Sequence, residues 1–312
     1  MNITRATDGR ANLHIWRTGE SYFQQKSPAF LKEWTNLKFS VLPHTENGSV
    51  QHYDIRQSLP FPEDTFDSVY ALRIIEHLTP EEGREFVAEV FRVLRPGGIF
   101  RVSTPDLEWI ARAYLERLDE CAQQPTEQTT VRYDWAVLEL LDQMARDRSG
   151  GLMRETVKQG HYDPAYSRER YGDVFAEFYQ QPSLGCHEPV RKTLVERVMS
   201  KSPADLLRAV GGRLNGIFFS WLPNRQSQPV HENPRKTRES NLWTYDRLSL
   251  RLLLEEQGFK KFSVKSYAES DIVGWARYDL DRSNHGEHPV EPSLYVEASP
   301  DKEPALRHQG VQ

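Results

Sequence analysis

The pair Glu76-His77 joins a carboxylate to an imidazole and is the best candidate in the sequence for acid–base chemistry. Histidine is the side chain that ordinarily titrates near neutral pH, so His77 could accept or release a proton during a reaction. It follows an apolar segment predicted to be a buried strand, and loops after such strands commonly face the ligand. The alternative is a structural histidine that holds a loop or helix end by hydrogen bonds. We predict His77 as the catalytic residue and leave that alternative open.

Other residue types suited to chemistry occur in less specific patterns. The basic run at residues 234–238 could contact a phosphorylated ligand, although a short basic loop is more often solvated. His285 and His288 lie in a polar loop, where two histidines are a common coincidence. The two cysteines, Cys121 and Cys186, form no CxxC pair. We therefore predict no metal site and no disulfide framework.

Such residues need a scaffold, and residues 1–106 have the pattern of a parallel sheet covered by helices. Pro105 ends the last apolar run of this block, because proline cannot donate to a central sheet ladder. The block therefore predicts an α/β core. Its apolar runs predict five strands, at residues 12–16, 37–42, 50–54, 67–71 and 98–103.

The helix between the last two of these strands is the best-marked element in the sequence. Thr79 supplies an N-cap, Pro80 the first helical position, and Glu82 the acid three residues after the cap. An apolar stripe at helical spacing follows, and Pro-Gly-Gly at residues 96–98 ends the helix. Strand, helix and strand together predict a crossover between parallel strands.

Residues 107–240 change character and are predicted to be an insertion. Two helices are predicted there, at residues 107–121 and 133–148, with Asp106 as the N-cap of the first. The sequence that follows is polar, aromatic-rich and irregular. We predict a largely helical insertion whose fold the pattern does not specify.

Residues 241–299 regain a regular pattern. Asp246 can cap a helix, Gly258 can end it, and two strands are predicted afterwards, at residues 259–267 and 293–298. We expect these strands to complete the sheet begun in the first block. Residues 300–312 are predicted to form a disordered tail.

Composition narrows the class of protein. The chain has 312 residues, of which 38% are hydrophobic and 27% charged, and this is typical of a globular protein. The net charge of -5 gives no electrostatic reason to expect nucleic acid as a partner. No apolar run approaches the roughly 18 residues of a membrane span, and the N-terminal residues lack a signal-peptide pattern. A cytoplasmic protein is the default expectation, with its oligomeric state left open.

Several segments, in order along the chain, resemble class I small-molecule methyltransferases that use S-adenosylmethionine. They are DIRQSLPF at residues 54–61, FDSVYA at 66–71, EHL at 76–78 and FRVLRPGG at 91–98. Parts of residues 132–151 and 243–298 are similar to the same proteins. Within this family the chain looks most like members encoded among surface-polysaccharide or glycan-modification genes.

The resemblance implies a doubly wound Rossmann-like sheet with S-adenosylmethionine bound outside the carboxyl ends of the strands. It places Asp54 and Ile55 at the adenine, Leu72 and Arg73 at the methionine end, and Gly19 in the cofactor loop. Two of these positions have ordinary alternatives, an Asx-turn for the aspartate and a solvated side chain for the arginine. The implied acceptor is a glycan or a sugar-linked small molecule.

Two positions depart from the family's pattern. Trp16 stands where the first glycine of a glycine-rich turn is expected, and its indole is expected to fill the space in which the backbone approaches the cofactor. Lys38 replaces an acid that commonly accepts from the ribose hydroxyls. The main hypotheses are a methyltransferase with a remodelled cofactor loop and a methyltransferase-like binding or scaffold subunit that has lost the cofactor. An α/β enzyme that binds a different nucleotide is a third.

Overall fold

One mixed sheet organises the residues that the computed structural model describes, which are 3–17, 27–40, 46–47, 50–148, 150–172, 175, 240–278, 280–281 and 293–303. Its strands are β1 (Asn12–Trp16), β2 (Trp34–Phe39), β3 (Glu46–Asn47), β4 (Val50–Tyr53), β5 (Phe66–Leu72), β6 (Leu94–Thr104), β7 (Phe259–Lys265) and β8 (Leu294–Pro300). Their spatial order is β3-β4-β2-β1-β5-β6-β8-β7. Strands β4, β2, β1, β5 and β6 pair in parallel, whereas β8 runs antiparallel to both β6 and β7.

The chain builds this sheet in two directions from β1. It first adds β2 and β4 on one side and then adds β5 and β6 on the other. The strand order therefore reverses between β1 and β5, which defines a doubly wound sheet with a crevice at that point. The last two strands, β7 and β8, complete the same sheet, as expected. The predicted α/β fold class is confirmed.

Eight helices accompany the sheet in the described part of the chain. They are α1 (Pro28–Glu33), α2 (Pro80–Val93), α3 (Leu107–Gln123), α4 (Glu127–Ala145), α5 (Gly151–Gln159), α6 (Pro164–Tyr171), α7 (Arg247–Glu256) and α8 (Trp275–Tyr278). Helices α3 to α6 belong to the predicted insertion, so its described residues are largely helical. Among the described residues, no helix has the length and apolar character needed to cross a membrane.

Local capping signals fix where several helices begin and end. The Thr79 hydroxyl accepts from the Glu82 backbone N–H at 3.2 Å, and the Glu82 carboxylate accepts from the Thr79 N–H at 2.9 Å, which completes the predicted capping box of α2. Asp246 caps α7, and Gly258 after it has a φ of 88°, a conformation that glycine adopts without strain. These predicted boundaries are confirmed.

Three elements begin earlier than predicted. Strand β6 starts at Leu94 instead of residue 98, because α2 already ends at Val93, ahead of the Pro-Gly-Gly at residues 96–98 that was predicted to end it. Strand β2 starts at Trp34 instead of residue 37, because α1 passes into it without a loop. The Trp34 N–H still bonds to the carbonyl of Phe30, while Trp34 already pairs with Asn12 of β1. Helix α4 begins before the predicted residue 133, because Thr126 caps it and Thr129 completes the capping box.

The predicted tail also begins too early at residue 300. Strand β8 continues to Pro300, and Lys302 anchors the chain beyond it. The Lys302 ammonium donates to the carbonyls of Arg92 and Leu94 at 3.0 and 2.6 Å and pairs with the carboxylate of Asp64 at 2.7 Å. Residues 304–312 lie outside the described residues.

The two faces of the sheet bury different kinds of side chain. Because successive strand residues point to opposite faces, each strand contributes to both. One face, here called the apolar face, packs against α2 and α7 and includes Leu13, Ile15, Val69, Phe100, Val102 and Val296. The other, the aromatic face, packs against α1 and α8 and includes Trp16, Phe30, Trp34, Tyr70, Leu72, Trp275 and Tyr278.

A fully buried ion-pair network crosses the aromatic face. The Arg101 guanidinium on β6 lies 2.9 Å from the Asp281 carboxylate and 2.8 Å from the Glu297 carboxylate on β8. It also lies 4.4 Å from the centre of the Trp275 ring, and the Tyr70 hydroxyl donates to Asp281. The network therefore holds the segment around α8 against the sheet.

Candidate functional site

The crevice where the strand order reverses is the natural place for a ligand, because the carboxyl ends of neighbouring strands meet there. Register brings the ends together: Trp16 of β1 pairs with Lys38 of β2 on one side and with Leu72 of β5 on the other. Asp54 and Ile55 follow the end of β4 on the same edge of the sheet. Gly19, predicted to lie in the cofactor loop, falls outside the described residues.

The Trp16 side chain belongs to the core. Only 1% of it is exposed, and the alternation of β1 sends its indole into the aromatic face beside Phe30 and Tyr70. The ammonium of Lys38, its partner across the strands, lies 5.2 Å from the centre of the indole ring. The indole is therefore packed in the core, and the expectation that it fills the space of cofactor approach stays a prediction. Trp16 and Lys38, the two positions that depart from the family's pattern, therefore contact each other.

Asp54 forms a tight turn after β4. Its carboxylate accepts from the backbone N–H of Arg56 at 3.2 Å and from the Arg56 guanidinium at 2.8 Å, and its carbonyl accepts from Gln57 at 3.0 Å. This is the Asx-turn that the sequence left as the alternative. Two carboxylate oxygens offer about four acceptor positions, so the turn does not use up the group. Ile55 is buried in the apolar face.

Arg73 occupies a strained position directly after β5. Its φ is 52°, in the left-handed region that residues other than glycine rarely adopt, and such residues concentrate at functional sites. Its N–H donates to the Ser103 carbonyl at 3.1 Å, and its guanidinium lies 3.1 Å from the Glu76 carboxylate. These contacts fix the guanidinium between the carboxyl ends of β5 and β6.

Glu76 and His77 lie in a buried 3-10 turn, Ile75–His77, directly after Arg73. The chain returns from the insertion through residues 240–245, here called the return segment, and crosses this turn. The Glu76 carbonyl accepts from the N–H groups of Leu242 and Trp243 at 2.7 and 3.2 Å. The His77 Nδ1 lies 3.3 Å from the Ser240 carbonyl oxygen. The return segment therefore covers the predicted catalytic residue and holds one of its ring nitrogens.

Burial lowers the pKa of His77 well below its usual range. The positive charge of Arg17 lowers that pKa further, and so do the charges of Arg73 and Arg146, while the hydrogen bond to Ser240 opposes the shift. His77 is accordingly a neutral imidazole at neutral pH. The charges of three arginines, which directly follow β1, β5 and α4, thus act on one histidine.

Arg17 and Arg146 were not among the residues singled out from the sequence. The signal available for Arg146 was its spacing from Asp142, four residues earlier on α4, which it approaches to 3.4 Å. Arg17 gave no signal of its own, because it follows a core strand in a segment whose expected glycines are missing.

Tyr245, at the end of the return segment, brings another polar group to Glu76. It forms a parallel bridge with Asp106, and its carbonyl accepts from the Leu107 N–H at 2.9 Å. Burial raises the pKa of its hydroxyl to about 12, and the charge of Glu76 adds to the effect. Asp106 caps α3 as predicted, accepting from the N–H groups of Glu108 and Trp109.

The less specific candidates lie elsewhere in the chain. The basic run at residues 234–238 and the histidines His285 and His288 fall outside the described residues. Within the described ranges, no group of three or more histidine, cysteine or acidic side chains could hold a metal ion.

Comparisons with known proteins find similarity within this doubly wound fold. Residues 26–102 match the family model described as a methyltransferase domain. This segment includes Lys38 and the whole run from Asp54 to Gly98, whereas Trp16 and Gly19 lie before it. The resemblance to S-adenosylmethionine-dependent methyltransferases is thereby confirmed for this part of the chain.

Two curated proteins and one solved structure illustrate the similarity. A probable S-adenosylmethionine-dependent methyltransferase from Mycolicibacterium smegmatis is 46% identical over 57 residues, 18% of this chain and 21% of that protein. A sterol 24-C-methyltransferase from Gibberella zeae is 36% identical over 88 residues, 28% of this chain and 19% of that protein. An S-adenosylmethionine-dependent methyltransferase from Mesorhizobium loti is 14% identical, covers 92% of this chain and 90% of that one, and has a TM-score of 0.33. The chain spans about a fifth of the length of these curated relatives.

Proposed function

We propose that this protein is an S-adenosylmethionine-dependent methyltransferase. The observation that carries the proposal is the position of Arg73, Glu76 and His77 beside the reversal of strand order between β1 and β5. Ligands of open α/β sheets bind outside the carboxyl ends of the strands at such a reversal. The methyltransferase-domain match over residues 26–102 supports the same reading.

The strand ends offer groups that suit most parts of this cofactor. Asp54 would accept from the adenine amino group, with Ile55 as an apolar neighbour. Leu72 and Arg73 would meet the methionine end, where Arg73 would pair with the carboxylate. Gly19 would lie in the loop after β1. Lys38 at the end of β2 has no acceptor for the ribose hydroxyls, so the ribose is held differently from the family's usual pattern. S-adenosylmethionine, when bound, supplies a methyl group on a positively charged sulfur.

His77 would act on the acceptor's proton. Hydrogen bonding of Nδ1–H to the Ser240 carbonyl places the proton on Nδ1 and leaves Nε2 as the acceptor nitrogen. Because the pKa of His77 is lowered, its imidazole is neutral at neutral pH, which is the protonation state that a general base requires. The charges of Arg17, Arg73 and Arg146 would in turn favour an acceptor oxygen that becomes negative as it loses its proton.

The acceptor is proposed to be a glycan or a sugar-linked small molecule. The support is the sequence resemblance to members encoded among polysaccharide genes. The insertion contributes helices next to the carboxyl edge of the sheet, where they can form the walls of an acceptor site that a bare α/β sheet would lack.

Isothermal titration calorimetry with S-adenosylhomocysteine tests the proposal. We expect binding by the full chain, and Arg73→Ala and Asp54→Ala should each weaken it about tenfold, since each removes one charged contact. Arg251→Ala, on the exposed side of α7, is the matched control and should leave the affinity unchanged. Absence of heat with both S-adenosylmethionine and S-adenosylhomocysteine would favour the scaffold hypothesis instead.

Turnover tests the role of His77 separately. His77→Gln should retain S-adenosylhomocysteine affinity, because the imidazole does not contact the cofactor in this proposal. Methyl transfer to the acceptor should fall by at least about 100-fold, the usual contribution of a general base. Undiminished turnover would show that His77 has a structural role and holds a loop or helix end by hydrogen bonds.

A further inference from the structure

A second cavity lies in the insertion, away from the strand ends. It is a cleft of about 340 Å³ between α3 and α6, here called the α3–α6 cleft. Trp109, Ala113 and Arg117 line it from α3, and Ala165, Tyr166 and Arg170 line it from α6. Small residues on both walls keep the space between the two helices open. Its volume is in the range of small-molecule sites.

Guanidinium groups hold the aromatic rings of the cleft in place. The Arg170 guanidinium lies 3.1 Å from the centre of the Trp109 ring and forms a bidentate pair with Glu139 at 2.8 and 2.9 Å. Two guanidinium groups, those of Arg117 and Arg132, each lie less than 6 Å from the centre of the Tyr166 ring. Trp109 is half-buried, so part of this residue stays accessible beside the guanidinium.

Two polar groups of the cleft lack a hydrogen-bond partner among the described residues. They are the hydroxyl of Tyr166, whose side chain is about nine-tenths buried, and the Nε–H of Arg117. Burying such a group without a partner is costly, and in ligand sites the partner is often supplied by the ligand. Both atoms lie just beneath the surface of the cleft, so a ligand that can both donate and accept would satisfy them after a small rotation of the two side chains.

The charge balance of the cleft disfavours a charged ligand. Each guanidinium already has a carboxylate: Arg117 pairs with Glu116 and Glu120, and the other pairs are Arg132 with Asp163 and Arg170 with Glu139. An anion would have to displace these carboxylates. A cation would meet the carboxylates of Glu116 and Glu169 in the lining, but also three guanidinium groups, which outnumber them. A neutral molecule with several hydroxyl groups meets neither obstacle.

We propose that the α3–α6 cleft binds a neutral sugar unit. A pyranose presents a C–H face that can lie on the indole of Trp109 and a rim of hydroxyls that can both donate and accept. The assignment of this sugar to the methyl acceptor rests on the proposed function, whereas sugar binding by the cleft does not.

The position of the cleft indicates which part of an acceptor it would hold. Glu139, which fixes Arg170, and Arg146, whose charge reaches His77, lie on the same side of α4, seven residues apart. At 1.5 Å per residue this is about 10 Å along the helix. The cleft is therefore a subsite for a sugar unit beside the one that is methylated, and the acceptor is an oligosaccharide or a glycoside longer than one ring. Binding at such a distance can contribute to positioning at the reacting centre.

Ligand-observed saturation-transfer NMR on the full chain tests the inference directly. The probes are methyl α-D-glucopyranoside, methyl β-D-galactopyranoside and methyl α-D-mannopyranoside, with glucuronic acid and glucosamine as charged counterparts. We expect millimolar binding of at least one neutral glycoside and weaker binding of both charged sugars. Failure of all three neutral glycosides to bind, or a preference for either charged sugar, overturns the proposal.

Variants place the binding in the cleft. Ala113→Leu should fill the space and weaken the glycoside about tenfold, as should Trp109→Ala, which removes the indole. Ala111→Leu is the matched control, since it makes the same change two residues away on the other side of α3, and it should bind normally. Equal binding by Ala113→Leu and its control, with both variants folded by circular dichroism, overturns the assignment to this cleft.

Calorimetry with S-adenosylhomocysteine on the same preparations separates the two proposals. Glycoside binding without cofactor binding would support the cleft and contradict the proposed methyltransferase activity. Cofactor binding without glycoside binding would support the proposed methyltransferase activity and contradict the assignment of the cleft.

Discussion

The two faces of the central sheet are equally well buried but are held together by different means. The apolar face relies on aliphatic and phenyl side chains, such as Ile15 and Phe100, beneath two amphipathic helices. The aromatic face combines indole and phenol rings with buried charges, among them Arg101 and Glu297. One face is stabilised by removing apolar surface from water, and the other also depends on every charge keeping its partner.

The largest effect should follow from removing the charge at the centre of the aromatic face. Arg101→Ala leaves the carboxylates of Asp281 and Glu297 buried without their cation, so we expect a loss of about 3–5 kcal/mol in the free energy of unfolding. Urea denaturation of purified protein measures it. Arg251→Ala, which breaks an exposed pair with Glu255, is the control and should cost at most about 0.5 kcal/mol. Similar small losses for both arginines would erase the contrast between the faces.

Neighbouring residues of β1 compare the two faces at one point. Trp16→Ala should cost about 3–5 kcal/mol and Ile15→Ala about 2–5 kcal/mol, because each empties a fully packed position on its own face. Chemical denaturation of the two variants side by side provides the measurement. A Trp16→Ala protein as stable as the parent would show that the indole is not part of the core.

Tyr70→Phe tests a single hydrogen bond within the aromatic face. The phenol donates to the buried carboxylate of Asp281, and hydrogen bonds to charged groups are worth about 1.5–3 kcal/mol. Thermal and urea unfolding should both show a loss in this range. An unchanged or higher stability would mean that Arg101 satisfies Asp281 unaided.

The smallest expected effect is on the pH dependence of stability. It follows from a comparison of two buried bases, Arg101 and His77, whose neighbouring charges have opposite signs. Burial opposes the charge of Arg101, but the attraction of Asp281, followed by Tyr70 and Glu297, raises the pKa of its guanidinium overall. For His77 the neighbouring charges are arginines, so they act in the same direction as burial and lower the pKa. Below the ordinary histidine pKa of about 6.5 the unfolded chain takes up a proton that the folded chain does not, so stability falls as pH falls.

The variant His77→Gln has no titrating group at this position, so its unfolded chain does not take up this proton. Between pH 7 and 5.5 the parent should lose about 1 kcal/mol more stability than the variant. Urea denaturation at the two pH values gives both differences. Parallel pH dependence of parent and variant would show that His77 is protonated in the folded protein.

The apolar face could be predicted from the sequence because its signals are local. Alternating apolar residues gave β1 at its observed bounds, and the capping residues Thr79, Asp106 and Asp246 gave the starts of α2, α3 and α7. Each signal spans a few residues, so no knowledge of the fold is needed to find it.

The aromatic face could not be predicted in this way. Arg101 and Glu297 occupy inward strand positions where a charge is unexpected, and Asp281 is 180 residues from Arg101 in sequence. Only the fold brings them together. The candidate site could be predicted in part. Sequence patterns pointed to Asp54, Arg73 and His77, but the groups that surround His77 come from the residues after β1 and α4 and from the return segment.

The bridge between Asp106 and Tyr245 places the two ends of the insertion side by side. A segment whose ends are fixed next to each other is a closed loop, and the entropy of closing a loop grows only slowly with its length, by about 0.6 kcal/mol per doubling. The residues between these ends can therefore be lengthened, shortened or replaced at little cost to the sheet. Evolution can exchange the part that meets the acceptor while Glu76 and His77 stay beneath the return segment.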